Sequence, residues 1–222
     1  MQQLISKQIL VLVLILSSTL VYADAYGPAR RALEDFSKGL ENLQLDFTQV
    51  VKSQDGSIQD QTRGNAWLQS PNRLRWVYSG DFPETIVADG VNVWIYDEVL
   101  EQVTVKPQSD RVADAPLLIL ADISQLDQQF LVAELGDFED MHLLELRSRE
   151  SESEFERILI GLNATGIRMM IMEDAFGLRT EIHFSNIVRN AEIDDDLFSF
   201  TPPEGTDVVG QDIINHPGQT KD

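Results

Sequence analysis

Ile86-Val87-Ala88-Asp89-Gly90-Val91-Asn92-Val93-Trp94-Ile95-Tyr96 reads as two strands and the turn between them. Asp-Gly between two apolar runs is a strong short-range hairpin signal, because the turn needs residues that tolerate a positive φ. Val91, Val93 and Ile95 alternate with Asn92, Trp94 and Tyr96, so this strand is apolar or amphipathic on both faces. The same period of two extends outward. Leu74, Trp76 and Tyr78 alternate with Arg73, Arg75 and Val77, and Leu43, Leu45 and Phe47 with Asn42, Gln44 and Asp46. Further runs follow at Phe130–Leu135, Met141–Arg147, Phe155–Leu162, Ile167–Glu173, Leu178–Val188 and Leu197–Phe200, with turns at Asn163–Gly166 and Ala175–Gly177. Strands that follow one another without intervening helices make an antiparallel sheet, so the fold class is mainly β.

Two segments break the pattern. Ala29, Ala32, Leu33, Phe36, Leu40 and Leu43 stand at offsets 0, 3, 4, 7, 11 and 14, one stripe of a 3.6-residue period. Pro28 suits a first helical position, and Gly39 marks weakening near the end. Midway, Asp114 and Pro116 open a short apolar stretch to Ala121, and Ser124 and Asp127 follow with the spacing of a capping box. This predicts two short helices inside a β meander. No internal repeat or composition shift divides the chain, so residues 24–222 are expected to form a single domain, with a loose polar tail after Pro203.

The chain has 222 residues, 17 basic and 37 acidic, for a net charge of −20. That excess argues against nucleic acid, whose binders present a basic patch or stripe. There is no cysteine, which excludes disulfides, thiol catalysis, Cys-based metal sites and acylation of the chain itself at an N-terminal cysteine. Lys7, the apolar run from Ile9 and the small-residue signal Val21-x-Ala23 read as a signal peptide over residues 1–23, cleaved after Ala23. The apolar stretch is shorter than the ~20 residues of a spanning helix. An exported chain without disulfides fits a bacterial periplasm.

Catalytic and metal motifs are missing. His142, His183 and His216 show no zinc spacing, and no nucleophile elbow or phosphate loop occurs. Asp194-Asp195-Asp196 lacks the alternation of a calcium loop and reads as a solvated turn. No cofactor and no enzymatic activity are expected. Large apolar and soft side chains are abundant instead. Met170 and Met172 are placed on one strand face and Met169 on the other with Ile167 and Ile171. Such residues either pack a core or line an adaptable apolar cavity.

Five pieces in order resemble the periplasmic outer-membrane lipoprotein carriers, the LolA-type chaperones. They are Asp46-Phe47-Thr48-Gln49; Gly64-Asn65-Ala66-Trp67 with Pro71 to Trp76; Val87 to Gly90 with Val93 to Tyr96 and then Glu101-Gln102; Ala115 to Ala121; and Phe198 to Gly205. Together they span nearly the whole of residues 24–222. The resemblance implies an open antiparallel β half-barrel with an N-terminal helix and a short helical lid. It implies a chaperone that accepts acylated lipoproteins from an inner-membrane lipoprotein-releasing ABC transporter (LolCDE-type) and hands them to an outer-membrane receptor lipoprotein (LolB-type). Such a carrier is expected to be a monomer.

One position departs from the family. Its members often place an arginine before the proline of an R-P pair, where it holds the lid; here that residue is Ser70. Arg73 and Arg75 are the nearest substitutes, but strand alternation sets both opposite Leu74 and Trp76. If those two line the cavity, both arginines point outward and the latch is weak, with Ser70 adding at most one hydrogen bond. The expected cavity residues are Phe47, Leu74, Trp76, Leu118, Leu120 and Met170, with Ser70, Arg73 and Arg75 as the lid-contact set. Two rival functions are a carrier or sensor of another amphiphile, such as a glycolipid, and an envelope hydrolase, for which no nucleophile–base pair is present.

Overall fold

The computed structural model describes residues 27–108, 116–120, 123–150 and 153–210. The expected signal peptide, the first residues of the lid segment and the end of the tail lie outside them. Among the described residues twelve strands form one open sheet: β1 Asn42–Lys52, β2 Ile58–Gln69, β3 Arg73–Ser79, β4 Glu84–Ala88, β5 Asn92–Asp97, β6 Gln102–Pro107, β7 Phe130–Phe138, β8 Met141–Ser148, β9 Arg157–Asn163, β10 Gly166–Glu173, β11 Arg179–Arg189 and β12 Asp207–Gly210. Their order is β12-β6-β5-β4-β3-β2-β1-β11-β10-β9-β8-β7, and every pairing is antiparallel except β12 with β6. The sheet does not close, so β7 and β12 are its edges.

Helix α1 (Pro28–Ser37) lies in the concave face and packs on β7 to β10. It ends earlier than the apolar stripe predicts. Gly39 takes a left-handed φ of 64°, and Leu43 becomes the first buried residue of β1. The lid segment is a 3₁₀ turn at Pro116–Leu120, followed by the one-turn helix α2 at Leu126–Gln129. α2 starts at Leu126, so Asp127 sits in its first turn rather than closing a capping box on Ser124.

The Ile86–Tyr96 hairpin forms as read. Gly90 has φ 98°, and Asp89 Oδ1 accepts from the N–H groups of Val91 and Asn92. Leu197–Phe200, expected to be a strand, is instead a 3₁₀ turn over Asp195–Phe198, because the Asp194 side chain accepts from the Asp196 N–H and caps it. Residues 207–210, expected in the loose tail, pair with β6 as β12. The C-terminal segment lies across the convex face. Phe200 and Val208 cover Val87, Trp94, Val103 and Val105 there. A β-bulge at Arg168 shifts register in β10, so Ile167 joins Met170 and Met172 in the concave core. Met169 and Ile171 stay on the convex side.

Also on the convex face, a ladder of opposite charges links neighbouring strands. Lys52 meets Glu181 at 2.7 Å, Arg179 meets Glu181 at 2.8 Å, Arg157 meets Glu173 at 3.1 Å and Glu145 at 2.6 Å.

Candidate functional site

The concave face is built by period-two alternation in each strand. Leu43, Leu45 and Phe47 of β1, Leu74 and Trp76 of β3, Ile158 and Ile160 of β9, and Ile182 and Phe184 of β11 all join one buried cluster. All six expected cavity residues belong to it: Phe47, Leu74, Trp76, Leu118, Leu120 and Met170. They come from β1, β3, the lid turn and β10. α1 contributes Ala29, Leu33 and Phe36 to the same cluster. The lid and α1 thus cover an apolar surface that the open sheet could not hide by itself.

An aromatic group occupies the middle of this face. Phe47 stacks on Trp76 with ring centroids 3.9 Å apart, and Tyr78 meets Phe47 edge-on at 5.3 Å. Gly64 lies opposite Phe47 in the β1–β2 pairing. A Cβ there would fall 2.8 Å from the Phe47 ring and 1.8 Å from the Val77 carbonyl oxygen, so only glycine lets the ring lie flat. At one end of the face Glu84 pairs with Asp97 across β4 and β5. Burial first, and the Asp97 charge second, hold the Glu84 carboxyl above its ordinary value.

Of the expected lid-contact set, the contacts of Arg73 and Arg75 among the described residues lie on the outer side of the sheet. Arg73 and Arg75 project to the convex face, as alternation requires. Arg73 donates to Gln69 at 3.0 Å and stands 3.7 Å from Asp195, and Arg75 donates to the Leu197 carbonyl at 3.2 Å. Both brace the C-terminal segment. The Ser70 backbone N–H donates to the Glu41 carbonyl.

Arg149, just past β8, donates its Nε to the Asp127 carbonyl of α2 at 3.1 Å, and another contact reaches α2, just beyond the lid turn, from Arg30 of α1. Its guanidinium forks onto Asp127 with two 2.9 Å hydrogen bonds, and its Nε donates to Glu34 at 2.9 Å. The Arg30 side chain is 8% exposed, against 59% for Asp127. A second tie fastens the other end of this region. Glu134 of β7 accepts from the first-turn N–H groups of Ala29 and Arg30 at 3.0 and 2.9 Å, capping α1 from 105 residues away. Gly27 carries no side-chain cap, and a Cβ there would collide with the Glu134 carboxylate. Sequence reasoning passes over Arg30 because a charge beside an apolar stripe reads as a solvated residue.

Among the described residues no group of three or more His, Asp and Glu could hold a metal, and no helix is long and apolar enough to cross a membrane. Residues 38–201 match the family model of the outer membrane lipoprotein carrier protein LolA. The chain belongs to the LolA family. The outer-membrane lipoprotein carrier protein of Dechloromonas aromatica is 34% identical over 187 residues, 84% of this chain and 90% of that protein. Its counterpart in Methylococcus capsulatus is 36% identical over 176 residues, 79% and 85% of the two chains. A crystal structure of an uncharacterized conserved protein from Thermus thermophilus shares the fold, with a TM-score of 0.53 at 13% identity over 82% of this chain and 99% of that one. LolA-family proteins are chaperones, not enzymes.

Proposed function

We propose that this chain is a periplasmic carrier of acylated lipoproteins. It accepts them as they leave the inner membrane, shields their acyl chains in the concave face and delivers them to an outer-membrane receptor. The observation that carries this reading is the apolar concave cluster, sheltered by a helix and a lid turn rather than by a closed barrel. Each CH₂ removed from water is worth about 0.8 kcal/mol, so an acylated protein needs such a shelter to cross an aqueous space. Cargo enters by displacing α1 and the lid, and Phe47, Leu74, Trp76, Leu118, Leu120 and Met170 then line the acyl site. A LolCDE-type transporter supplies the cargo and a LolB-type lipoprotein receives it. Cleavage after Ala23 releases the carrier, which acts as a monomer.

The test uses inner-membrane vesicles that contain the transporter and a labelled acylated lipoprotein. Adding the purified protein is expected to bring the lipoprotein into the supernatant as a one-to-one complex. Lipoprotein that stays with the vesicles would overturn the reading. A glycolipid as the only bound amphiphile, seen by mass spectrometry, would replace lipoprotein as the cargo class.

A further inference from the structure

The Trp76 side chain lies in the apolar concave face, only 5% of the residue is exposed, and its indole Nε1 is buried with no hydrogen-bond partner. Buried polar groups are nearly always partnered, so a lone donor on a binding face calls for an explanation. The neighbours do not supply one. Phe47 covers the indole with an apolar ring at 3.9 Å. The indole N–H offsets part of the rise that burial imposes on the Tyr78 phenol, but the two groups do not reach hydrogen-bond geometry, and Tyr78 donates to Gln49 Oε1 at 3.2 Å. Trp94 shows the contrast: its Nε1 donates to Asp89 at 2.8 Å. An alkane-only site needs no donor, and phenylalanine would fill the same face without leaving one unmatched.

We infer that the Trp76 indole N–H is a polar subsite within the acyl cavity, donating a hydrogen bond to a carbonyl oxygen at the head of the cargo's acyl chains, an ester or amide of the acylated terminus. This inference rests on the acyl-carrier reading above and deepens it. The site then recognises an acyl group by its carbonyl as well as by its chain. The bond also sets how deep the chains sit, because the carbonyl stops at Trp76 while the methylenes continue over the apolar strands.

The experiment compares two fluorescent probes with identical chains: a diacylglycerol, which has ester carbonyls, and the matched dialkylglycerol ether, which has none. The full chain is expected to bind the diester about five- to tenfold more tightly, the worth of one hydrogen bond that satisfies a buried donor. In Trp76→Phe that ratio is expected to fall to about one. In the unaltered protein the indole ¹H–¹⁵N signal of Trp76 is expected to move downfield with the diester and not with the ether. This readout needs no variant to fold. Equal affinity for the two probes in the unaltered protein, a ratio preserved in Trp76→Phe, or an indole signal that ignores the diester would each overturn the inference and leave the carrier reading standing. Failure to bind either probe would overturn both.

Discussion

Removing the Arg30 guanidinium should loosen the lid, and the chain offers a clean way to measure it. Arg30 holds Asp127 through two 2.9 Å hydrogen bonds from a side chain that is 8% exposed. Asp127 is 59% exposed, so water screens the pair and the full strength of a buried ion pair does not apply. Once Arg30 is gone Asp127 is solvated and leaves little unpaired charge behind. The net loss is then about 1–2 kcal/mol, two partly screened charge-assisted bonds, which raises the open population roughly 5- to 30-fold.

The protein has no cysteine, so Leu118→Cys gives a single thiol on a buried lid position. When closing outpaces labelling, the maleimide reaction rate follows the open fraction. Arg30→Ala in that background should raise the rate about tenfold, and Arg30→Lys should fall between, because an ammonium keeps the charge but not the fork. Arg75→Ala should leave the rate unchanged, since Arg75 braces the Leu197 carbonyl on the far face. A labelling rate within about twofold of the parent in folded Arg30→Ala, well below the change expected for two bonds, would refute the argument that Arg30 restrains the lid.

Three further outcomes are expected. Gly64→Ala should destabilise the fold by about 1–3 kcal/mol in chemical denaturation, because its Cβ would meet the Phe47 ring and the Val77 carbonyl. Arg75→Ala should lower stability by about 0.5–1.5 kcal/mol through its lost bond to Leu197, while lipoprotein transfer to the receptor stays near normal. Acid should unfold the protein in part through Glu145. Burial raises this carboxyl, but Arg157 and Arg147 outweigh burial and hold it below its ordinary value. A depressed carboxylate stabilises the fold above its unfolded pKa, and that contribution fades as pH falls through the lower folded value. Thermal unfolding followed from pH 7 down to about 3 should therefore show a steeper loss below about 4.5 for the parent than for Glu145→Gln.

Strands whose alternation is complete are legible in the amino-acid order alone. Leu43-x-Leu45-x-Phe47 and Leu74-x-Trp76 state in one dimension which side chains share a face, since strand geometry makes that parity local. The amino-acid order also placed the Asp89-Gly90 turn and the helix after Pro28, and parity alone put Leu74 and Trp76 on one face of β3 and Arg73 and Arg75 on the other. Three features needed the tertiary structure. β2 runs over Ile58–Gln69 with an exposed polar first half, so no alternation announces it; its pairing with β1 and β3 makes it a strand. The bulge at Arg168 turns Ile167 inward against simple parity, because register is a property of the pair of strands and not of either one. Arg30 stands 97 residues from Asp127 and 104 from Glu134 in the chain, and nothing local marks them as partners. Hydrogen bonds over such separations exist only after the sheet has curved and brought α1 against β7 and α2, so the tie on the lid region was decided by the fold.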